Sequence, residues 1–181
     1  MQDENVKKTC DFQVCRTCKS TCCQDAKPPL TKNRQKIIQN YLKKHNIHIK
    51  EPFTHEHYSY PAVDKQGFCV FLDKRTGKCR VHPVKPETCR AGPATFDINR
   101  RTGKVEWYLK KSKICAFAGV LYGDRASFNE HFEAAKAELL RLICELDAEA
   151  LQAILLIEEP QTFKVGEAAL PKEAICKLES P

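Results

Sequence analysis

Four cysteines fall within nine residues, Cys15-Arg16-Thr17-Cys18-Lys19-Ser20-Thr21-Cys22-Cys23. A C-x-x-C turn can aim both sulfurs at one point, which is why it recurs in zinc and iron–sulfur sites. A loop this dense in thiols is shaped by what the sulfurs bind more than by backbone propensity. The adjacent pair adds a condition. In extended backbone, neighbouring side chains point to opposite sides. Cys22 and Cys23 are therefore expected to serve two linked centres, or to divide into one ligand and one neighbour.

The whole chain has 11 cysteines and 1 methionine. An odd number rules out complete internal disulfide pairing. The start, Met1 to Lys8, lacks the apolar core of a signal peptide. Nor is there an apolar run of about 18 residues that would span a membrane. The chain is expected in the cytoplasm and away from membranes, where thiols stay reduced and close-set cysteines hold metal.

The 181 residues, 42% hydrophobic and 29% charged, suffice to bury a core without help from metal. The net charge of +7 is uneven. Residues 1–111 hold 23 Lys and Arg against 11 Asp and Glu, whereas residues 112–181 hold 7 against 12. The basic part is also the cysteine-rich part. Four thiolates around Zn²⁺, or around one [4Fe–4S]²⁺ core, leave a formal charge near −2. Arg16, Lys19, Lys78, Arg80, Lys85 and Arg90 sit beside cysteines and would offset it. A nucleic-acid surface is the competing use of that charge.

The pattern predicts an α+β protein: a small cysteine-rich metal-binding domain with short β-hairpins over 1–120, and a C-terminal helical hairpin in an extension, 121–181, packed on it. Thr31 caps a helix over Lys32–Lys44 whose stripe is Ile37, Ile38, Tyr41 and Leu42, with Asn46 as its stop. Phe68 to Leu72 and Cys79 to Val81 read as hairpin arms around Arg75-Thr76-Gly77-Lys78. Thr95–Asn99 and Lys104–Leu109 read as a second hairpin, with Val105, Trp107 and Leu109 alternating against polar residues. Residues 124–159 read as helical. Ser127 and Glu130 form a capping box, and Asp147 restarts a second helix that Pro160 ends. The tail beyond Pro160 is expected to be extended.

A second set of cysteines is spread more widely: Cys69, Cys79, Cys89 and Cys115. The predicted hairpin would bring Cys69 and Cys79 together, and the proline-rich stretch before Cys89 would hold it nearby. With Cys15, Cys18, Cys22 and Cys23 they make eight, enough for two all-cysteine centres. Cys10 competes for a place, because Cys10-x4-Cys15-x2-Cys18 has the plant-type ferredoxin spacing. His82 is a candidate ligand or hydrogen-bonding neighbour of one. His55 and His57 read as surface residues, Cys144 as a small buried hydrophobe, and Cys176 as a free thiol.

The early C-x-x-C…C-C run resembles the YkgJ-type cysteine-cluster family of zinc- or iron-chelating proteins, which is related to flagellin lysine N-methylases. Gly67-Phe68-Cys69-Val70-Phe71-Leu72, Gly77-Lys78-Cys79-Arg80-Val81-His82-Pro83 and Lys85-Pro86-Glu87-Thr88-Cys89-Arg90 follow the family's order. The resemblance covers about residues 12–115. It implies the same eight ligands. Two departures are visible. Lys19 stands where the family has glycine, with one extra residue in the run, and the flank of Cys115 lacks the family's glycine and proline.

Soft thiolates suit zinc and iron–sulfur clusters alike. All-cysteine ligation, adjacent cysteines and a basic surround favour one or two iron–sulfur clusters, of the [4Fe–4S] type, over the alternative Zn²⁺. The expected role is redox chemistry, electron transfer or metal handling, with a protein redox partner or protein substrate. Two alternatives belong to other classes. One is a metal-dependent protein methyltransferase like the flagellin-modifying relatives. The other is a zinc-stabilised adaptor for nucleic acid or protein. The chain has no G-x-G-x-x-G loop, no C-x-x-x-C-x-x-C motif and no nucleophile with a placed base.

Overall fold

The computed structural model describes residues 22–157 and 161–179. Helices and small antiparallel sheets mix along the chain, so the fold is α+β. The first helix, α1 (Lys32–Lys44), begins where the sequence places it. The Thr31 hydroxyl accepts from the Arg34 N–H, satisfying one of the donors a helix start leaves open. Asn46 follows with φ of +52°, the left-handed turn that asparagine tolerates.

Two hairpins follow. Strands β1 (Phe53–His55) and β2 (Ser59–Pro61) pair antiparallel, as do the two-residue strands β3 (Leu72–Asp73) and β4 (Lys78–Cys79). Gly77, at φ +67°, closes the second turn. A 3-10 turn, His82–Val84, leads into the five-residue helix α2 (Glu87–Ala91), where the sequence pattern had given only a proline-stiffened connection.

The main sheet comes next. Strands β5 (Ala94–Asn99) and β6 (Lys104–Lys110) form the expected hairpin, with Val105, Trp107 and Leu109 buried. The third strand is a correction. Thr162–Ala169 is β7, hydrogen-bonded to β6, and not a loose extended tail. It is followed by helix α6 (Lys172–Glu179).

Between sheet strands lie α3 (Ala116–Tyr122), the long α4 (Arg125–Glu145) and α5 (Ala148–Ile154). Asp147 caps α5 as expected, accepting from the Ala150 N–H. The cap of α4 is Asp124 rather than Ser127. Its carboxylate accepts from the Ala126 and Ser127 amides, and the Ser127 hydroxyl also donates to it. The ionised carboxylate is the stronger partner for those donors.

The described residues build two apolar cores. The larger packs Ile98, Val105, Trp107 and Leu109 of the sheet against Ala135, Leu139, Leu142 and Ile143 of α4, with Leu151 and Ala174 closing it. The smaller gathers Leu30, Ile38, Leu42, Phe71 and Val81, with Cys69 and Cys79 packed on its edge. Among the described residues no helix is long and apolar enough to cross a membrane.

Candidate metal centre

The segment carrying Cys22 and Cys23 is held by backbone pairing. Cys69 N–H donates to Cys23 C=O at 2.8 Å, and Asp25 N–H donates to Gly67 C=O at 2.9 Å. Gln24 and Phe68 form an antiparallel bridge between these bonds. The loop that receives the segment is fixed by Asp64, whose carboxylate accepts from the Gln66 and Phe68 amides and pairs with Lys74 at 2.5 Å.

Gly67 makes the approach possible. Its φ is +81°, and a Cβ there would lie 2.0 Å from Asp25 Oδ1. Gly67→Ala is expected to strain the loop by about 1–2 kcal/mol and to push the Asp25 side chain away, loosening the Cys22–Cys23 segment from Cys69. The measurement is bound zinc and iron per chain, which should fall, with wild-type Trp107 fluorescence showing the main core intact. Full metal content in Gly67→Ala would contradict this role.

The β3–β4 hairpin supplies the next two sulfurs. Leu72 stands opposite Cys79, and Leu72 N–H donates back to Cys69 C=O at 2.9 Å. The turn therefore sets Cys69 and Cys79 on one end of the hairpin, half-buried against the small core. Helix α2 supplies Cys89. Its Glu87 and Ala91 are buried, one turn apart, while Cys89 is exposed.

The thiols sense one another. Cys22 and Cys23 lie in a turn, not in extended backbone, and the two thiols interact through a hydrogen bond. That bond, with Lys85 and Lys110 nearby, holds Cys22 down at about 6 against the effect of burial. Cys23 is pushed up by the same bond, by burial, and by the charges of Cys22, Cys89 and Cys69. Burial pushes Cys69 up to about 11, with Cys79 adding to it. Burial also raises Cys79 and Cys89. Cys22 acts on both, and Cys89 further feels Cys79 and Cys69. Cys22 and Cys89 keep exposed surface yet are surrounded by dense protein. Lys85 acts on Cys22, Cys79 and Cys89, and Arg80 on Cys69 and Cys79, as their places in the sequence suggested. Lys110 was not legible as a neighbour of Cys22, because only the return of β6 brings it there.

Thus five of the sequence-predicted ligands, Cys22, Cys23, Cys69, Cys79 and Cys89, lie within electrostatic reach of one another. Cys115 has a different neighbour. It stands at the N-terminus of α3 beside Tyr122, whose phenol burial and the Cys115 charge push up to about 12. Cys10, Cys15 and Cys18 lie outside the described residues. His82 is half-buried and kept neutral, lowered to about 3 by burial and by Lys85 and Arg90. Its Nε2 faces Lys85 Nζ at 3.4 Å. His55 and His57 are exposed, on Ser59 and Glu149 respectively. Cys144 is half-buried on α4, and Cys176 is exposed on α6. Among the described residues, no three Cys, His, Asp or Glu side chains form a ready-made cation site.

Basic-flanked thiols from three separate segments of this α+β fold are electrostatic neighbours, a donor type that suits a metal-chelating domain. The chain belongs to the CxxCxxCC family, described as a "putative zinc- or iron-chelating domain", whose pattern matches residues 14–116, more than half of the chain. It is 31% identical over 124 residues to an uncharacterized protein of Methanocaldococcus jannaschii. That match covers 65% of this chain and 64% of the relative's length. No solved structure matches. Zinc or iron chelation is the chemistry the family assignment supports.

Proposed function

We propose that the chain holds an iron–sulfur centre, one or two clusters of the [4Fe–4S] type, and uses it in electron transfer, redox sensing or metal handling with a protein partner. The ligands in this reading are Cys15, Cys18, Cys22, Cys23, Cys69, Cys79, Cys89 and Cys115. One observation carries it: backbone pairing docks the Cys22–Cys23 segment onto Cys69, beside the hairpin that carries Cys79, with Cys89 of α2 within electrostatic reach.

The donor set fits the group. All the donors are soft sulfur, which selects zinc or iron over hard cations. Lys85, Lys110 and Arg80 offset the negative charge that thiolates bring to such a centre. The small core shields Cys69 and Cys79 from water. Cys15 and Cys18 join through their closeness in sequence to Cys22. A bound cluster supplies a one-electron couple, whereas bound zinc supplies a closed structural node.

Anaerobic purification followed by iron, zinc and sulfide analysis tests this, together with ultraviolet–visible and electron paramagnetic resonance spectra. The expected result is a brown protein with iron and sulfide in comparable amounts. A colourless protein with stoichiometric zinc and no iron would overturn the cluster and leave a zinc centre on the same thiols.

A further inference from the structure

Cys89 sits on a helix that cannot hold itself. Helix α2 has five residues, and its N-cap, Pro86, makes no side-chain cap bond. A helix that short is not stable alone. Its placement must come from what grips it, and the grip comes mostly from α4, beyond the family-matched residues 14–116.

Two residues of α4, seven positions apart and so on one face, hold α2 just after Cys89. Glu138 pairs with Arg90 Nε at 3.2 Å, one residue after Cys89. The His131 Nε2–H donates to the carbonyls of Gly92 at 3.0 Å and Ala91 at 3.3 Å, at the end of α2. Glu138 also takes Arg34 of α1 and, through its second oxygen, Arg141 at 3.1 Å. Arg34 in turn pairs with Glu87 at 3.6 Å, and Thr31 donates to Glu87 at 2.7 Å. Arg90 further donates to Pro83 C=O at 3.1 Å.

Arg34, Glu87, His131 and Glu138 are all buried. Buried ionic networks give little net stability compared with apolar packing, but losing one member leaves uncompensated charge. Such a network fixes an arrangement more than it adds to stability. Here the arrangement fixed is the position of Cys89.

We propose that Glu138 and His131 are positioning residues of the metal centre, clamping α2 so that Cys89 meets the other thiols. The proposal rests on the metal-centre reading above. In it, helix α4 is part of the centre's scaffold, and the family-matched segment alone would hold metal poorly.

The test uses the full chain, with Co²⁺ as the probe of thiolate ligation. Wild type, Glu138→Ala, Glu138→Gln and Arg90→Ala are compared, with Lys136→Ala as the control, since Lys136 lies over Phe132 on the same helix and outside the clamp. Glu138→Ala is expected to bind Co²⁺ roughly tenfold more weakly, and to lose about a quarter of the sulfur-to-cobalt charge-transfer intensity as one thiolate of four drops out. Glu138→Gln, which keeps an acceptor oxygen, should recover part of both, and Lys136→Ala should match wild type. A general loss of stability would not remove one ligand's share of the spectrum. If Glu138→Ala does not fold, Arg90→Ala cuts the same link while leaving Glu138 paired to Arg34 and Arg141, and it must show the same loss. Folded variants with wild-type affinity and full intensity overturn the proposal. If wild type itself binds no Co²⁺, zinc or iron, the metal-centre reading fails. Amide exchange at residues 87–92 of the metal-free protein then decides the clamp. Exchange about tenfold faster in Glu138→Ala supports it, and unchanged exchange overturns it.

Discussion

Leu142→Ala is expected to cost about 2–5 kcal/mol of stability, because it opens a cavity at the centre of the larger core. Leu142 is 0% exposed on α4, in the same stripe as Leu139 and Ile143, and faces the β5–β6–β7 sheet. Neighbouring side chains there are already fully buried and have little freedom to collapse into the space. A chain of this size should lose on the order of 10 °C in Tm. The protein has a single tryptophan. Trp107 is 3% exposed and belongs to this core. Urea denaturation followed by its fluorescence therefore reads the loss directly. A shift equivalent to less than about 1 kcal/mol would mean that α4 does not organise the core as described.

That core was partly legible. The alternation on β6 follows a local period, and that strand forms within a residue of where the pattern puts it, while α4 falls inside the stretch that reads as helical. Strand β7 was not legible. Thr162–Ala169 has an exposed outer face and little alternation, and its partner β6 lies more than fifty residues earlier. Its register comes from pairing, which no local period encodes. Helix α2 was missed for a related reason: Glu87 to Ala91 is too short to show a period, and its contacts come from α1 and α4.

The centre divides in the same way. Cysteine spacing marked Cys22, Cys23, Cys69, Cys79 and Cys89 as candidates because thiols at such density have few other uses. What brings them together was hidden. The docking of Asp25 on Gly67 joins positions 42 apart, and the pair Arg34–Glu138 joins positions 104 apart. Cys22 and Cys23 lie in a turn, so the strand rule that opposes adjacent side chains does not apply to them.

Removing the metal should have the largest effect of all, and should have it on only one part of the molecule. Among the described residues, the small core contains five buried ones, Leu30, Ile38, Leu42, Phe71 and Val81. Its hairpin, β3–β4, has two residues in each strand. A hairpin of that size is not stable alone in water, and so few buried side chains fall short of the ordering cost of the loops around them. Cys69 and Cys79 pack on this core. Metal held there would tie the hairpin to the Cys22–Cys23 segment and to α2, replacing apolar burial with coordination. A structural thiolate metal can contribute on the order of 10 kcal/mol to folding. Chelation under reducing conditions is therefore expected to raise amide exchange by about 100-fold or more at Arg80, whose N–H bonds across this hairpin to Phe71 C=O, and at Leu72, whose N–H bonds back to Cys69 C=O. The β5–β6–β7 amides and the emission maximum of Trp107 should barely change, because the larger core buries enough apolar surface to stand without metal. Hydrogen exchange resolved by mass spectrometry, with and without chelator, separates the two regions. Equal protection of both after complete metal removal would show that the small core folds on its own, and would leave the thiols no structural share in it.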